Sequence, residues 1–387
     1  MRHFAFLDEQ QREQLFHVQP AEFDRSSDPA LLAVALGATL YAPADRPHLC
    51  DDILRRAALG VRSMVVCLED AVADADVETA QAHAVAELRR LRAEHETEAP
   101  LLFVRVRRAG QIPEIVAGLG EHAGILSGFV LPKFTEDSGA YLDAVAEARA
   151  ATGLRLMAMP VIESPEVVHR ETRADALTAI ARLLDKHRDD VLAVRIGATD
   201  LCSAFGIRRD RELTIYDVLP VASAIADIVN VLGRTDGSGF VITGPVWEYF
   251  SPSERMFRPL LRQTPFVEHD ARALRQELVT RDVDGLIREL VLDRASGLTG
   301  KTVIHPSHVS AVHALSVVSH EEWSDASDVL GTSARGGVAA SGYGNKMNES
   351  KPHTSWALRT VRRAEAFGVS APGVSFIDLL AAQAAAA

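Results

Sequence analysis

Three cysteines in 387 residues, Cys50, Cys67 and Cys202, are too few for a disulfide framework, and none stands in a CxxC or similar metal-type spacing. A reducing, cytoplasmic setting is the expectation. Positive charge is also short: 41 lysines and arginines face 53 acids, a formal net charge of −12. Nucleic acid and anionic membrane, which need a basic face, are therefore not expected as partners. A small anionic substrate stays compatible if a few arginines or a metal concentrate charge locally. No run approaches the ~18 to 20 apolar residues that span a bilayer. The N-terminus, MRHFAFLDEQQREQ, reaches acidic and amide residues before an apolar leader core can form.

What is present is an ordinary globular composition, 47% hydrophobic and 24% charged, long enough for one large barrel with additions. Eight short apolar runs read as strands: ATLYAP (38–43), SMVVCLED (63–70), LLFVRV (101–106), GFVLPK (128–133), RLMAMPVIE (155–163), VLAVRIGATD (191–200), GFVITGPV (239–246) and KTVIHP (301–306). Helical patterns with apolar residues three and four apart, such as VETAQAHAVAELRRLRAEHE, fill most gaps. Continuously apolar strands alternating with helices imply a parallel sheet, and eight such units imply closure into an α/β (β/α)8 TIM barrel. Residues 1–36 form an N-terminal addition and 37–330 the barrel. Residues 331–387 comprise a Gly-rich connector (GTSARGGVAASGYG, 331–344), expected to be mobile, and a C-terminal helical lid or extension containing HTSWALRTVRRAEAFG. The final AAQAAAA is expected to fray.

Strand after strand ends in a polar residue: Asp45 and Arg46, Glu69 and Asp70, Arg105, Lys133, Glu163, Asp200, His305. In a (β/α)8 barrel these ends share one face, so residues distant in sequence converge. Single strand-end acids are commonly helix caps, and Asp74 or Asp76 before VETAQAHAV fits that role. Glu163 and Asp200, on consecutive strands, carry more weight, because adjacent unpaired carboxylates repel unless a cation joins them. Two carboxylates with positions left for water or substrate suit Mg2+ or Mn2+ better than zinc. Arg105 is placed to clamp a substrate carboxylate through its planar fork. Arg46 and Lys133 are further cations for an anionic group, or salt-bridge partners of Glu69 and Asp70. The Gly197-Ala198-Thr199 turn before Asp200 completes the expected substrate-binding set, Gly197 allowing close backbone approach or simply serving the turn. His305 and His308, in IHPSH, read as structural hydrogen-bonding residues or metal ligands. Strand alternation would point Glu69 and Asp70 to opposite sides unless the strand has ended, so one of them, preferably Glu69, is expected in the site.

Taken in order, APADRP, CLEDAVADAD, VRV, VLPK, PVIES, IGATDL and TGKTVIHPSHV resemble the HpcH/HpaI aldolase and citrate lyase beta-subunit family over about residues 38–330. The resemblance implies a TIM barrel, Mg2+-dependent carbon–carbon bond cleavage or formation, and a homo-oligomer, trimeric or hexameric. It maps the metal ligands onto Glu163 and Asp200, the carboxylate-binding arginine onto Arg105, and the acidic pair onto Glu69 and Asp70. The segment GYGNKMNESKPHTSWALRTVRRAE is similar to the TIM-barrel carbon–carbon bond lyases associated with tellurium-resistance (Ter) gene clusters. Two departures stand out. Arg107 replaces the usual asparagine after VRV, and Glu349, Ser350 and Lys351 precede Pro352 where malyl-thioester lyases place an aspartate.

The expected chemistry is a metal-stabilised enolate formed from a small anionic 2-oxo acid, hydroxy acid or acyl thioester, with a coenzyme A thioester left open as substrate. Proton transfer is expected to fall to metal-bound water or to Glu349, brought by the C-terminal lid of a neighbouring subunit. Alternatives are a barrel enzyme on a phosphorylated substrate, served by Arg46, Lys133 and Arg107, and a non-catalytic ligand-binding or assembly subunit.

Overall fold

The computed structural model describes residues 1–250, 283–332 and 337–386. The eight strand segments all form strands of one parallel sheet: β1 (Ala38–Pro43), β2 (Ser63–Cys67), β3 (Leu101–Arg105), β4 (Leu126–Leu131), β5 (Met157–Ile162), β6 (Val194–Ile196), β7 (Ile242–Thr243) and β8 (Lys301–Val303). Each strand pairs with the next in sequence, and β8 returns to β1. A parallel bridge between Gly244 and Lys301 joins β7 to β8 and closes the barrel. The closing residue has no room for a side chain, since a Cβ on Gly244 would lie 2.8 Å from both the Asp293 carboxylate and the Gly300 carbonyl.

The strands are shorter than their apolar runs for local reasons. β4 stops before Pro132, which has no N–H for the ladder. Residues 198–200 leave β6 to open a short helix, Ala198–Ser203. A main helix follows each strand: α1 (Leu49–Ala58), α2 (Val77–His95), α3 (Gln111–Leu119), α4 (Gly139–Thr152), α5 (Arg173–Lys186), α6 (Leu219–Leu232), α7 (Val283–Ala295) and α8 (Val309–Ser316). Strands β2, β4 and β5 are buried along their whole length because helices cover one face and the barrel interior the other. Asp76 stands at the N-cap of α2 without a side-chain cap bond, and Asp74 pairs with Arg107 instead. The capping role expected of these two acids is thus not taken up.

Beyond the barrel, α9 (His320–Thr332) and α10 (Ser350–Phe367) pack together, and α10 also packs on the helix Pro29–Ala35. The Gly-rich stretch is partly ordered by pairing: Val338–Ala340 forms an antiparallel hairpin with Met347–Glu349. The alanine-rich end continues a helix, Phe376–Ala386. The N-terminal addition is tied to the C-terminal one, since strand Phe16–Val18 pairs with Val369–Ser370. Arg359 donates to the Gly297 carbonyl, and Phe367 stacks on His3 at 4.2 Å, close to Gly37 just before β1. These contacts set the second half of α10 at the end of the barrel where strands begin, away from its own mouth. No helix among the described residues is long and apolar enough to cross a membrane.

Candidate active site at the barrel mouth

β2 ends at Cys67, and that ending decides the geometry of the next three residues. Leu68 N–H bonds the Arg105 carbonyl at 2.9 Å, and Val72 N–H bonds the Glu69 carbonyl at 3.0 Å. The chain therefore turns, alternation no longer applies, and both Glu69 and Asp70 reach the same two cations. The turn is pinned from the segment just after β3 by Arg107, whose guanidinium donates to the carbonyls of Leu68 (2.7 Å), Glu69 (2.9 Å) and Val72 and pairs with Asp74.

Arg105, the last residue of β3, concentrates its contacts in one nitrogen. Its Nη2 lies 2.8 Å from Glu69 Oε2, 2.9 Å from Glu163 Oε1 and 3.4 Å from Asp70 Oδ2. The buried Nε has no hydrogen-bond partner among the described residues. Lys133 sits two residues past β4 at φ 46°, a left-handed backbone unusual for a side-chain-bearing residue. That conformation aims its backbone N–H at Glu163 Oε1 (2.8 Å) and sends Nζ to Glu69 Oε1 (2.6 Å) and Asp70 Oδ1 (3.4 Å).

Glu163, one residue past β5, is 3% exposed. Burial, with Asp200 and Glu69 adding repulsion, pushes its carboxyl up to about 7 against the opposing pull of Arg105 and the Lys133 N–H. Its second oxygen faces Gly197, where a Cβ would stand 2.5 Å from Glu163 Cβ and 2.8 Å from Cδ. Gly197 thus makes room for Glu163. Asp200, in the first turn of Ala198–Ser203, makes no side-chain hydrogen bond or ion pair among the described residues. Burial raises Glu69, whereas Asp70 is lowered: burial pushes it up, but its bond with Glu69 and the charges of Arg105 and Lys133 outweigh that. Burial works against the charge on Arg105, but Glu163, Tyr41 and Glu69 hold it firmly protonated.

The mouth therefore brings together Glu69, Asp70, Arg105, Lys133, Glu163 and Asp200, with Gly197 and buried Ala198 beneath. Thr199 is exposed and donates to Glu248 (3.4 Å). Arg46 lies outside this cluster, paired with Asp52 of α1. Glu349 is not brought to the mouth by its own chain; its backbone N–H bonds His353 and its side chain is exposed. His308 Nε2 bonds the Tyr249 carbonyl at 3.0 Å, and His305 stacks on Phe250 at 4.2 Å, both structural contacts. No group of three or more His, Cys, Asp or Glu side chains among the described residues makes a ready metal cage. What remains is two oxygen donors, the free edge of Glu163 and the carboxylate of Asp200. This hard-oxygen pair, with Glu163 pushed upward by burial and by the charge of Asp200, fits a divalent cation that keeps open positions.

Two residues escaped the sequence reading. Arg195 of β6 is 1% exposed inside the barrel, and Tyr41 of β1 lies over it, the guanidinium carbon 5.5 Å from the ring centroid. The available signal was a charged residue in the middle of VLAVRIG.

Comparison with known proteins follows the same line. Residues 30–369 match a family model described as C–C bond lyase of the TIM-barrel fold. A citrate lyase from Burkholderia xenovorans LB400 superposes with a TM-score of 0.60 at 18% identity, covering 95% of this chain and 98% of that one. The CitE protein of Mycobacterium tuberculosis, solved with magnesium, acetoacetate and coenzyme A, superposes with a TM-score of 0.52 at 20% identity, covering 86% and 99%. At these identities the likeness is one of fold. Among curated proteins none matches.

Proposed function

The chain belongs to the carbon–carbon bond lyase family of the TIM-barrel fold, and we propose that it cleaves or forms a carbon–carbon bond in a small anionic 2-oxo acid, hydroxy acid or acyl thioester. The observation that carries this reading is the charge imbalance at the mouth: four carboxylates, Glu69, Asp70, Glu163 and Asp200, meet two cations, Arg105 and Lys133. Glu163 and Asp200 would hold Mg2+ or Mn2+. When bound, the metal supplies Lewis-acid stabilisation of the negative charge that develops on an enolate oxygen.

The chain's own residues do the rest. Arg105 would hold a substrate carboxylate through its guanidinium while its Nη2 is fixed by three acids. Glu69 and Asp70 orient Arg105 and Lys133, and the Lys133 ammonium adds positive charge at the rim. A phosphorylated substrate is the weaker reading, because Arg46 and Arg107 are engaged by Asp52 and by the 68–74 turn. The ligands of the M. tuberculosis structure motivate the oxo-acid and thioester classes; coenzyme A itself stays an open alternative here. A homo-oligomer, trimer or hexamer, in the cytoplasm completes the reading. The apolar residues Trp356, Leu358 and Val361 exposed on α10 are surface that a second copy would cover, and light scattering tests this.

The decisive experiment is calorimetric titration of Mg2+, with and without pyruvate, oxaloacetate or glyoxylate, into wild type and Asp200→Ala. Metal binding that tightens with the oxo acid and vanishes in Asp200→Ala is the expected result. No metal binding by wild type would sink the enolate reading and favour a ligand-binding or assembly subunit.

A further inference from the structure

Arg195 lies in the barrel interior beneath the mouth without a counter-ion among the described residues. Its Nη2 donates to the Thr302 hydroxyl at 2.6 Å and its Nη1 to the Thr39 hydroxyl at 3.4 Å and the Met159 sulfur at 3.9 Å. Its Nε is buried without a partner. No carboxylate among the described residues lies within 4 Å. A fully buried guanidinium is expensive unless paired, and an apolar side chain would fill a barrel core more cheaply. Its position therefore calls for another explanation.

Immediately above it stands Tyr41. On β1, Leu40 and Ala42 face the helices, while Thr39 and Tyr41 share the inward face, as the Arg195 contacts with both require. Along β1 the inward face opens toward the C-terminal end, Thr39 being buried and Tyr41 and Pro43 part-buried, so the open side of Tyr41 is the mouth. Its hydroxyl has no hydrogen-bond partner among the described residues. It lies within the electrostatic reach of Arg195 on one side and of Arg105 and Glu163 on the other. Burial raises the phenol above its ordinary value, so at neutral pH it is a donor.

We infer that Tyr41 contacts the substrate, donating its phenol O–H to an anionic oxygen of a bound 2-oxo acid, and that Arg195 is its positioning residue. Arg195 holds the ring through its cationic face and makes the O–H a stronger donor by placing positive charge behind it. This rests on the oxo-acid reading of the same mouth. It adds a third donor to Arg105 and Lys133, from a strand whose end loop contributes none.

The test is calorimetric titration of pyruvate into Mg2+-loaded protein. Tyr41→Phe keeps the ring on Arg195 and removes only the hydroxyl. It should weaken pyruvate about tenfold, the usual worth of a hydrogen bond to a charged oxygen, with Mg2+ affinity unchanged. Arg195→Met should weaken pyruvate by a similar factor while raising the melting temperature, because an unpaired buried charge is removed. Arg195→Lys should restore part of the affinity. Combining Tyr41→Phe with Arg195→Met should cost no more than either alone, since both act through one hydroxyl. Wild-type pyruvate affinity in Tyr41→Phe, with binding abolished in Asp200→Ala, overturns the tyrosine assignment alone. Absence of pyruvate binding in wild type overturns the oxo-acid reading and this inference together.

Discussion

Gly197→Ala tests the site through one added carbon. Gly197 has φ −95° and ψ 75°, which alanine adopts, so the substitution carries no backbone penalty of its own. Its cost comes from Glu163, whose Cβ and Cδ would lie 2.5 and 2.8 Å from the new methyl, with the Oε2 oxygen closer still. Ordinary contact begins near ~3.5 Å. A rotamer change can move the carboxylate but not Cβ, which is fixed on the end of β5, so one of the two strand ends must retreat by about 1 Å, an overpacking cost of ~1 to 3 kcal/mol. The retreat also loosens the bonds of Glu163 Oε1 to Arg105 and to the Lys133 N–H, each worth roughly 1.5 to 3 kcal/mol when charged. Urea unfolding should show a loss of about 2 to 4 kcal/mol, and calorimetric Mg2+ affinity should drop on the order of 100-fold, as misplacement by about 1 Å does elsewhere. Gly331→Ala on α9, where a Cβ meets nothing within 4 Å, is the control and should stabilise by ~0.5 to 1 kcal/mol. In a Glu163→Gly background, Gly197→Ala should become nearly free, the coupling that a double-mutant cycle reads. Wild-type stability and metal affinity in Gly197→Ala would refute the packing argument.

Arg105→Lys should abolish most turnover and substrate affinity, because a point ammonium cannot hold three acids with one nitrogen and offer a fork with the others; near-normal kcat/KM would disprove the clamp. Lys301→Met strips the fully buried ammonium from Glu289 (2.9 Å) and Asp293 (2.6 Å) and should cost about 3 to 5 kcal/mol in urea unfolding; a loss under ~1 kcal/mol would mean the network is solvated. Burial lowers His3 and pushes His308 and His313 down to about 4 and about 3. Folded, these rings stay neutral while the unfolded chain protonates them below pH ~6.5, so stability is complete above that pH and falls toward pH 4 by up to ~1.4 kcal/mol per unit per histidine. Glu163 and Asp293, raised by burial to about 7 and about 6, act in the opposite direction by binding protons in the folded state. His313→Gln, which keeps an acceptor for the Ala38 N–H, should flatten the acid limb of a melting-temperature profile by one proton's worth; an unchanged limb would rule His313 out as its cause.

The barrel was legible because each strand is a continuous apolar run and each is followed by helical spacing, a pattern that parallel sheets impose from both faces. That same burial hides which residues point inward. In VLAVRIG or ATLYAP both faces are apolar or nearly so, and alternation gives no sign of the interior, so Arg195 and Tyr41 could be placed only by seeing what they touch. The strand ends were easier, since a carboxylate closing an apolar run stands out whatever its neighbours. The reading of Gly197 had the right property, close approach, while the approaching group is the Glu163 side chain. In the 331–344 stretch composition gave no sign of the hairpin in which Val338 pairs with Glu349, because backbone bonds do not need apolar side chains. Asp74 was misread for the converse reason, its partner Arg107 being 33 residues away.

Arg107 also shows how a departure from a motif can leave the site's logic intact. The position after VRV adds a long guanidinium rather than a short amide, and that guanidinium spends its donors on the carbonyls of the turn carrying Glu69 and Asp70. Holding that turn holds both acids against Arg105 and Lys133, which in turn fix Glu163 by one oxygen and leave its other edge toward Asp200. Without Arg107 the turn's carbonyls would have to find water. The two acids would then be free to relax away from each other, as their mutual repulsion favours. The unfavourable gathering of four carboxylates at this mouth is therefore held by the scaffold, and it remains short by two positive charges, a deficit that a divalent cation would fill.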